Sequence, residues 1–249
     1  YRIMYSSGNT DINTQIGLAS QSGVTDTPDL CIRFGDIERP SGAMYFKGLS
    51  NNLIRDFSAW YHLVLSYDQS LSAASRVRLY LNGELLTLYS QTDPTSNRRW
   101  VYDKIYVGRG MGNASGNPER PWDGYMAEVH MLDGITKVAS DFGETDEDTN
   151  QWKAKRYAGS YGTDGFYLDF SNSAALGTDA SGNGNDFTVT NLAATDQMID
   201  TPQNSTGSNF CTMNSLAQLP LANASTFLVT RANLRTEATG GGQEVTGTL

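Results

Sequence analysis

Three groups of side chains in this 249-residue chain have types and spacings that could do chemistry. Glu144, Asp146 and Asp148 alternate along the chain, the spacing by which a strand turns an acid and a nucleophile towards one sugar. Thr145, Glu147 and Thr149 between them supply no apolar face to hold a strand. A solvated acidic loop is therefore expected, with calcium binding as the other use of such oxygens. Asp179, Asn183, Asn185 and Asp186 surround Gly182 and Gly184. That pattern suits Asx turns bonded to their own backbone, and equally a calcium site built from oxygen ligands. Third, Trp100, Tyr102 and Trp122 fall at loop ends beside Arg98, Arg99, Asn113, Asn117 and Arg120. Sugars are held by aromatic rings against the apolar ring face and by amides or charges on the hydroxyls, so this is the candidate glycan surface. Core packing or subunit contact is the competing use of each tryptophan.

Other chemistry is missing from the sequence. It contains no G-x-S-x-G, H-E-x-x-H, G-x-x-x-x-G-K or C-x-x-C. Gly108, Gly110 and Gly112 follow a strand, but Asn113 stands where a dinucleotide fingerprint needs its next glycine and no helical pattern follows. His62 and His130 each lie in a strand-like stretch with no third ligand at zinc spacing, which favours hydrogen-bonded packing. Cys31 and Cys211 are the only cysteines. They exclude a disulfide framework and are expected as buried thiols, with one long-range bridge as the alternative. The net charge of −9 and the lack of any Lys/Arg run longer than a pair argue against nucleic acid or an anionic membrane as partner. No apolar run approaches the ~18 residues of a membrane-spanning helix. Asn113, Asn204 and Asn223 open N-x-S/T sequons, informative only in a secreted eukaryotic protein.

The elements that must position these groups are strands. Hydrophobic residues make up 39% of the chain and charged residues 18%, beside 25 Gly and 13 Tyr, a composition of short strands and tight turns around a packed core. In Trp60–Tyr67, Tyr61, Leu63, Leu65 and Tyr67 alternate with Trp60, His62, Val64 and Ser66. Asn82-Gly83 then predicts a type I′ hairpin in which Leu79 faces Leu86, Val77 faces Leu88 and Arg78 faces Thr87. Further strands are expected at 30–34, 43–46, 104–107, 124–132, 166–170 and 227–229. GGGQ at 240–243 reads as loop or linker. The chain opens on Tyr in a strand-like stretch, so a fragment or processed product with an incomplete first domain is expected.

The order WYHLVLSYD (60–68), RLYLNG (78–83), YVGR (106–109) and DGYMAEV (123–129) resembles laminin-G-like domains of the concanavalin-A-like jelly-roll superfamily. The segments DFGETDEDTNQW, KRYAGSYGTDGFYLDFSNSAALGTDASGNGNDFTV, DTPQN and NFCTMN that follow resemble structural proteins of tailed phages. The resemblance implies an all-β, antiparallel sandwich jelly roll over residues 1–135. It also implies a partly stranded extension over 136–216 that completes or bridges the sandwich, and a linker or further β module over 217–249. It implies a non-enzymatic virion structural protein, such as a tail fibre with a lectin-like domain for a host-surface glycan. Such a protein would sit on the particle surface as a homo-oligomer, a trimer for example, beside other virion proteins, requiring no cofactor except for calcium at the sites above. The alternatives are a purely structural decoration and a glycan-cleaving depolymerase or its binding module.

Overall fold

A computed structural model describes residues 2–8, 12–20, 30–38, 44–54, 56, 59–92, 104–110, 121–197, 212–213, 226–230, 235–239 and 247–248. The fold is all-β, built from antiparallel sheets with short 3₁₀ turns, the architecture of a concanavalin-A-like β-sandwich. It divides into two compact units, one formed by Tyr1–Phe57 and Leu63–Gly124, the other by Ser58–His62 and Tyr125–Leu249.

In the first unit, β1 (Arg2–Gly8), β2 (Ile12–Ser20), β3 (Leu30–Glu38) and β4 (Met44–Ile54) run as a meander. A three-stranded sheet follows from β5 (Leu63–Tyr67), β6 (Val77–Leu81) and β7 (Glu84–Leu85). β8 (Leu88–Thr92) and β9 (Lys104–Val107) then return to the edges of the meander, giving the order β8-β4-β3-β2-β1-β9. These strands are longer than the short runs expected between residues 1 and 56.

The hairpin register follows from its turn. Asn82 and Gly83 have φ of 48° and 85°, Leu81 pairs with Glu84, and the Leu86 amide donates to the Leu79 carbonyl at 2.8 Å. Val77, Leu79 and Leu86 are buried, as the apolar alternation predicts. Val77 and Leu88 do not form a ladder pair: the chain leaves β6 after β7, and Leu88 pairs with Ser50 of β4. Trp60 and His62 precede β5, which starts only at Leu63. Replacing Gly83 by alanine puts a Cβ into left-handed backbone. The expected cost is about 1–2 kcal/mol, measurable as a lower urea midpoint with an unchanged m-value.

In the second unit, β10 (Val129–Met131) pairs with β13 (Phe166–Leu168), and β11 (Gly143–Thr145) with β12 (Trp152–Ala154). Farther on, β14 (Thr212–Met213) pairs with β17 (Gly247–Thr248), and β15 (Thr226–Thr230) with β16 (Arg235–Thr239). The strand expected at 227–229 therefore exists and has a partner the sequence did not signal. The register of the β10–β13 ladder is Val129–Leu168, His130–Tyr167, Met131–Phe166. Alternation puts Val129, Met131, Phe166 and Leu168 on one face. Phe166 and Leu168 there are among the most buried side chains, and Phe187 meets Phe166 edge-on at 4.7 Å. His130 and Tyr167 lie on the other face.

Candidate functional site

The second face of the β10–β13 ladder carries polar aromatics instead of aliphatics. His130 and Tyr167, directly opposed, stack with ring centres 4.3 Å apart and planes 6° apart. Tyr161 extends the stack, 6.1 Å from Tyr167 and inclined by 10°, and its hydroxyl lies 2.9 Å from His130 Nδ1. Glu128, two residues before His130 and so on the same face, accepts a hydrogen bond from the Tyr167 hydroxyl. Its carboxylate also lies 4.0 Å from His130 Nε2. A ring proton on Nε2, towards that carboxylate, leaves Nδ1 to accept from Tyr161. Glu128 adopts φ of 52°, and Phe170, beyond the same end of the ladder, the same value. Left-handed backbone at residues of this size costs on the order of 1–3 kcal/mol each, so these two turns are imposed by their surroundings.

Tyr157 completes the cluster. It meets Tyr161 edge-on at 5.4 Å and 88°, packs on Phe142 at 5.0 Å, and donates its hydroxyl to the Ser160 carbonyl at 3.2 Å. Its hydroxyl end lies over Gly159, where an added Cβ would overlap it. Tyr157, Tyr161 and Tyr167 wall a cavity of about 280 Å³, bounded also by Arg156, Ala158, Gly159, Ala180 and Ser181. The Arg156 guanidinium sits 5.8 Å from the Tyr167 ring centre.

Ala180 and Ser181 of the cavity lining belong to the Asn/Gly loop singled out in the sequence, and hydrogen bonds link Asp179, Asn183, Asn185 and Asp186 within that loop and to its neighbours. Asp179 Oδ1 accepts from the amides of Tyr167 and Ser181, each at 2.9 Å. Its Oδ2 accepts from the Ser181 hydroxyl at 2.8 Å and the Asn185 amide at 2.9 Å. The Ala180 amide returns a bond to the Tyr167 carbonyl at 2.8 Å, so the loop holds both backbone groups of the tyrosine at the centre of the site. Asp186 accepts from the Asp179 amide at 2.8 Å. The side-chain amides of Asn183 and Asn185 donate to carbonyls of the 162–165 turn, both reaching Gly165. Among the described residues no three His, Cys, Asp or Glu side chains converge as a metal-binding group.

The electrostatics follow from burial. Burial, seconded by the positive charges of His62 and Arg156, lowers the His130 pKa to about 4. Burial pushes the Glu128 carboxyl up with help from Asp169, against the Tyr167 hydrogen bond and Arg156. The Tyr161 hydroxyl is pushed up to about 12, mainly by burial, and that of Tyr167 higher still by burial and its bond to Glu128. For Asp179, burial works upwards, but the bonds from Tyr167, Ser181 and Asn185 outweigh it and hold the carboxyl below its ordinary value. At neutral pH the His130 ring and the Tyr161 and Tyr167 hydroxyls are thus uncharged, beside the Arg156 guanidinium.

The other sequence candidates lie elsewhere. Of the expected glycan surface only Trp122 falls within the described residues; Arg98, Trp100, Tyr102, Asn113, Asn117 and Arg120 lie outside them, as does Arg99. Trp122 is half-buried, its amide bonded to the Gly108 carbonyl at 2.8 Å, with its indole N–H buried and unpaired among the described residues. The acidic run is not a featureless loop: Glu144 sits in β11, and Asp146 begins the turn into β12. Asp146 accepts from the Thr149 amide and hydroxyl at 2.8 and 2.7 Å and pairs with Lys153, while Glu144 lies 3.9 Å from Lys155. The missing apolar face is supplied by one pair, Trp152 packing on Gly143, which leaves no room for a Cβ. His62 lies outside any strand and accepts from the Trp152 indole at 3.0 Å.

Sequence reasoning did not single out Glu128, Arg156, Tyr157, Tyr161 or Tyr167 as a site. Their one legible signal is Tyr167 itself, which must face away from Phe166 and Leu168 in a strand. Comparison with known proteins bears on the segment that ends inside this site. No curated protein and no solved structure matches the chain. Residues 3–138, over half of the chain and including Glu128 and His130, match the family described as the Concanavalin A-like lectin/glucanases superfamily. The chain belongs to that superfamily.

Proposed function

We propose that the chain is a non-enzymatic, lectin-like module that binds glycan at the tyrosine-walled cavity of its second unit. The observation that carries this reading is the cavity itself. Three tyrosine rings around about 280 Å³ offer room on the scale of one sugar ring, and a pyranose presents a C–H face that packs on such rings while its hydroxyls meet polar groups. The family supplies the class, since carbohydrate is what lectins and glucanases share. The resemblance of the segments between residues 141 and 214 to tailed-phage structural proteins supports a place on a virion, as a tail fibre or appendage that attaches to a host surface. Repeated weak sites on a homotrimer would add avidity there.

The test is a glycan and whole-cell binding screen of the intact chain, with and without a calcium chelator. Gly159→Ala should displace Tyr157 and weaken glycan binding at least tenfold. Its melting temperature should fall because Tyr157 is buried against Phe142 and Tyr161, so binding is compared at a temperature where circular dichroism shows the variant folded. Unchanged affinity in this variant would remove the cavity from the reading. A chain that assembles but binds no surface would be a structural decoration. Loss of binding on chelation would bring calcium into the site.

An enzymatic reading has one specific observation behind it. Glu128, its carboxyl raised by burial, is influenced by the carboxylate of Asp169, the residue one step beyond the Val129–Leu168 pair. Paired carboxylates are what glycoside hydrolysis uses. Release of new reducing ends from a bound polysaccharide, abolished in Glu128→Gln, would replace the binding module with a depolymerase.

A further inference from the structure

We infer that the sugar taken by this cavity carries an oxyanion, a carboxylate or a sulfate ester, and that Arg156 is the residue that selects it. The inference rests on the glycan-binding reading and adds the ligand's charge. Arg156 is exposed and lines the cavity, its guanidinium 5.8 Å from the Tyr167 ring centre. Among the described residues it makes no hydrogen bond or ion pair besides this ring contact, and it acts on Glu128, His130 and Tyr161 only through its charge at a distance. The neighbouring cations differ: Lys153 pairs with Asp146, and Lys155 lies beside Glu144.

The acids around Arg156 are already committed. The Glu128 side chain is 13% exposed and bonded to the Tyr167 hydroxyl. Both oxygens of Asp179 are occupied by donors. Those of Asp169 are taken by the amide and hydroxyl of Ser171, both at 3.0 Å. The five N–H donors of the guanidinium are therefore unclaimed by these acids, on a residue that lines the cavity beside the Tyr167 ring.

A guanidinium so placed matches the two oxygens of a carboxylate or sulfate in a fork, and charge-assisted bonds of that kind are roughly twice as strong as neutral ones. A neutral hydroxyl uses only one or two of the donors. The cavity holds one ring, so recognition falls on a single acidic residue of a longer glycan. The net charge of −9 opposes the approach of a polyanion as a whole, which makes the local contact at Arg156 decisive.

The test uses the intact chain and three sets of oligosaccharides of matched length: neutral, uronate-containing and sulfated. Affinities are read by calorimetry for the wild type, Arg156→Gln and Arg156→Lys. Wild type should bind one acidic set at least tenfold tighter than the neutral set, and the better set identifies the oxyanion. Arg156→Gln should erase that preference with the melting temperature unchanged, and Arg156→Lys should restore only part of it, because an ammonium cannot form the fork. Equal affinity for neutral and acidic sets would overturn the inference and leave the glycan reading standing. Binding to none of the sets would overturn both.

Discussion

Phe166→Ala is expected to lower the unfolding free energy by about 3–5 kcal/mol and to weaken ligand binding at a site it does not touch. Phe166 is 1% exposed and is the largest of the fully buried side chains described. It opposes Met131 across the ladder and meets Phe187 edge-on, so its removal leaves a cavity that those rigid neighbours cannot close. The same three-residue strand carries Tyr167 on its other face. A ladder of three pairs has no spare length to absorb the relaxation, and the Tyr167–His130 stack should shift with it. Urea unfolding followed by circular dichroism measures the stability, and Phe166→Leu, expected to lose less than about 1.5 kcal/mol, separates lost volume from lost aromatic contact. A loss below about 1 kcal/mol for the alanine variant would place the core of the second unit elsewhere.

Acidification should destabilise the second unit between about pH 6.5 and 4, because His130 is folded in its neutral form. In the unfolded chain its imidazole takes a proton near pH 6.5, and in the folded unit not until about 4. Above pH 6.5 both states hold a neutral ring and the difference vanishes. As pH falls through that value, the unfolded chain binds a proton that the folded chain refuses, so unfolding is favoured. The loss accumulates to about 3 kcal/mol by pH 4. His62, lowered by burial as well, adds in the same direction. Glu128 works against both: its raised carboxyl takes up a proton in the folded state first and offsets part of the loss at the acid end. Thermal melts at pH 7, 5.5 and 4.5 should show the decline in the wild type and a flatter course in His130→Gln, whose amide keeps hydrogen bonds but does not titrate. An imidazole proton signal for His130 that titrates near 6.5 in the folded protein would refute the argument directly.

What could be read from the sequence was whatever a local rule determines. The Asn82-Gly83 turn sets its own register through two left-handed positions, and the apolar alternation holds in β6, where Val77 and Leu79 are buried, whereas in β5 the buried residue is Ser66, on the face opposite Leu65. The Asn/Gly loop was legible as a cluster of Asx-type groups, but not as the clasp on Tyr167, because that partner lies 12 residues away. The alternation Trp60–His62 misled for a related reason: its period matches a strand, yet tertiary partners from residues 125 onwards claim it. Tyr157, Tyr161 and Tyr167 have no common period, since two lie in irregular chain and one in a strand. Only folding makes them neighbours. Arg156 looked like half of a Lys/Arg pair, and nothing in its spacing shows that Lys155 has a carboxylate beside it and Arg156 does not.

The bond from the Trp152 indole to His62 spans 90 residues of chain and has a consequence for biosynthesis. A ribosome adds roughly 5–20 residues per second, so His62 waits on the order of 5–20 s before its donor is made. The second unit cannot be completed from the residues after Gly124 alone, because Ser58–His62 belong to it. A piece cut at that point would carry an indole with its acceptor missing, so the two units are chained together in the order of their assembly.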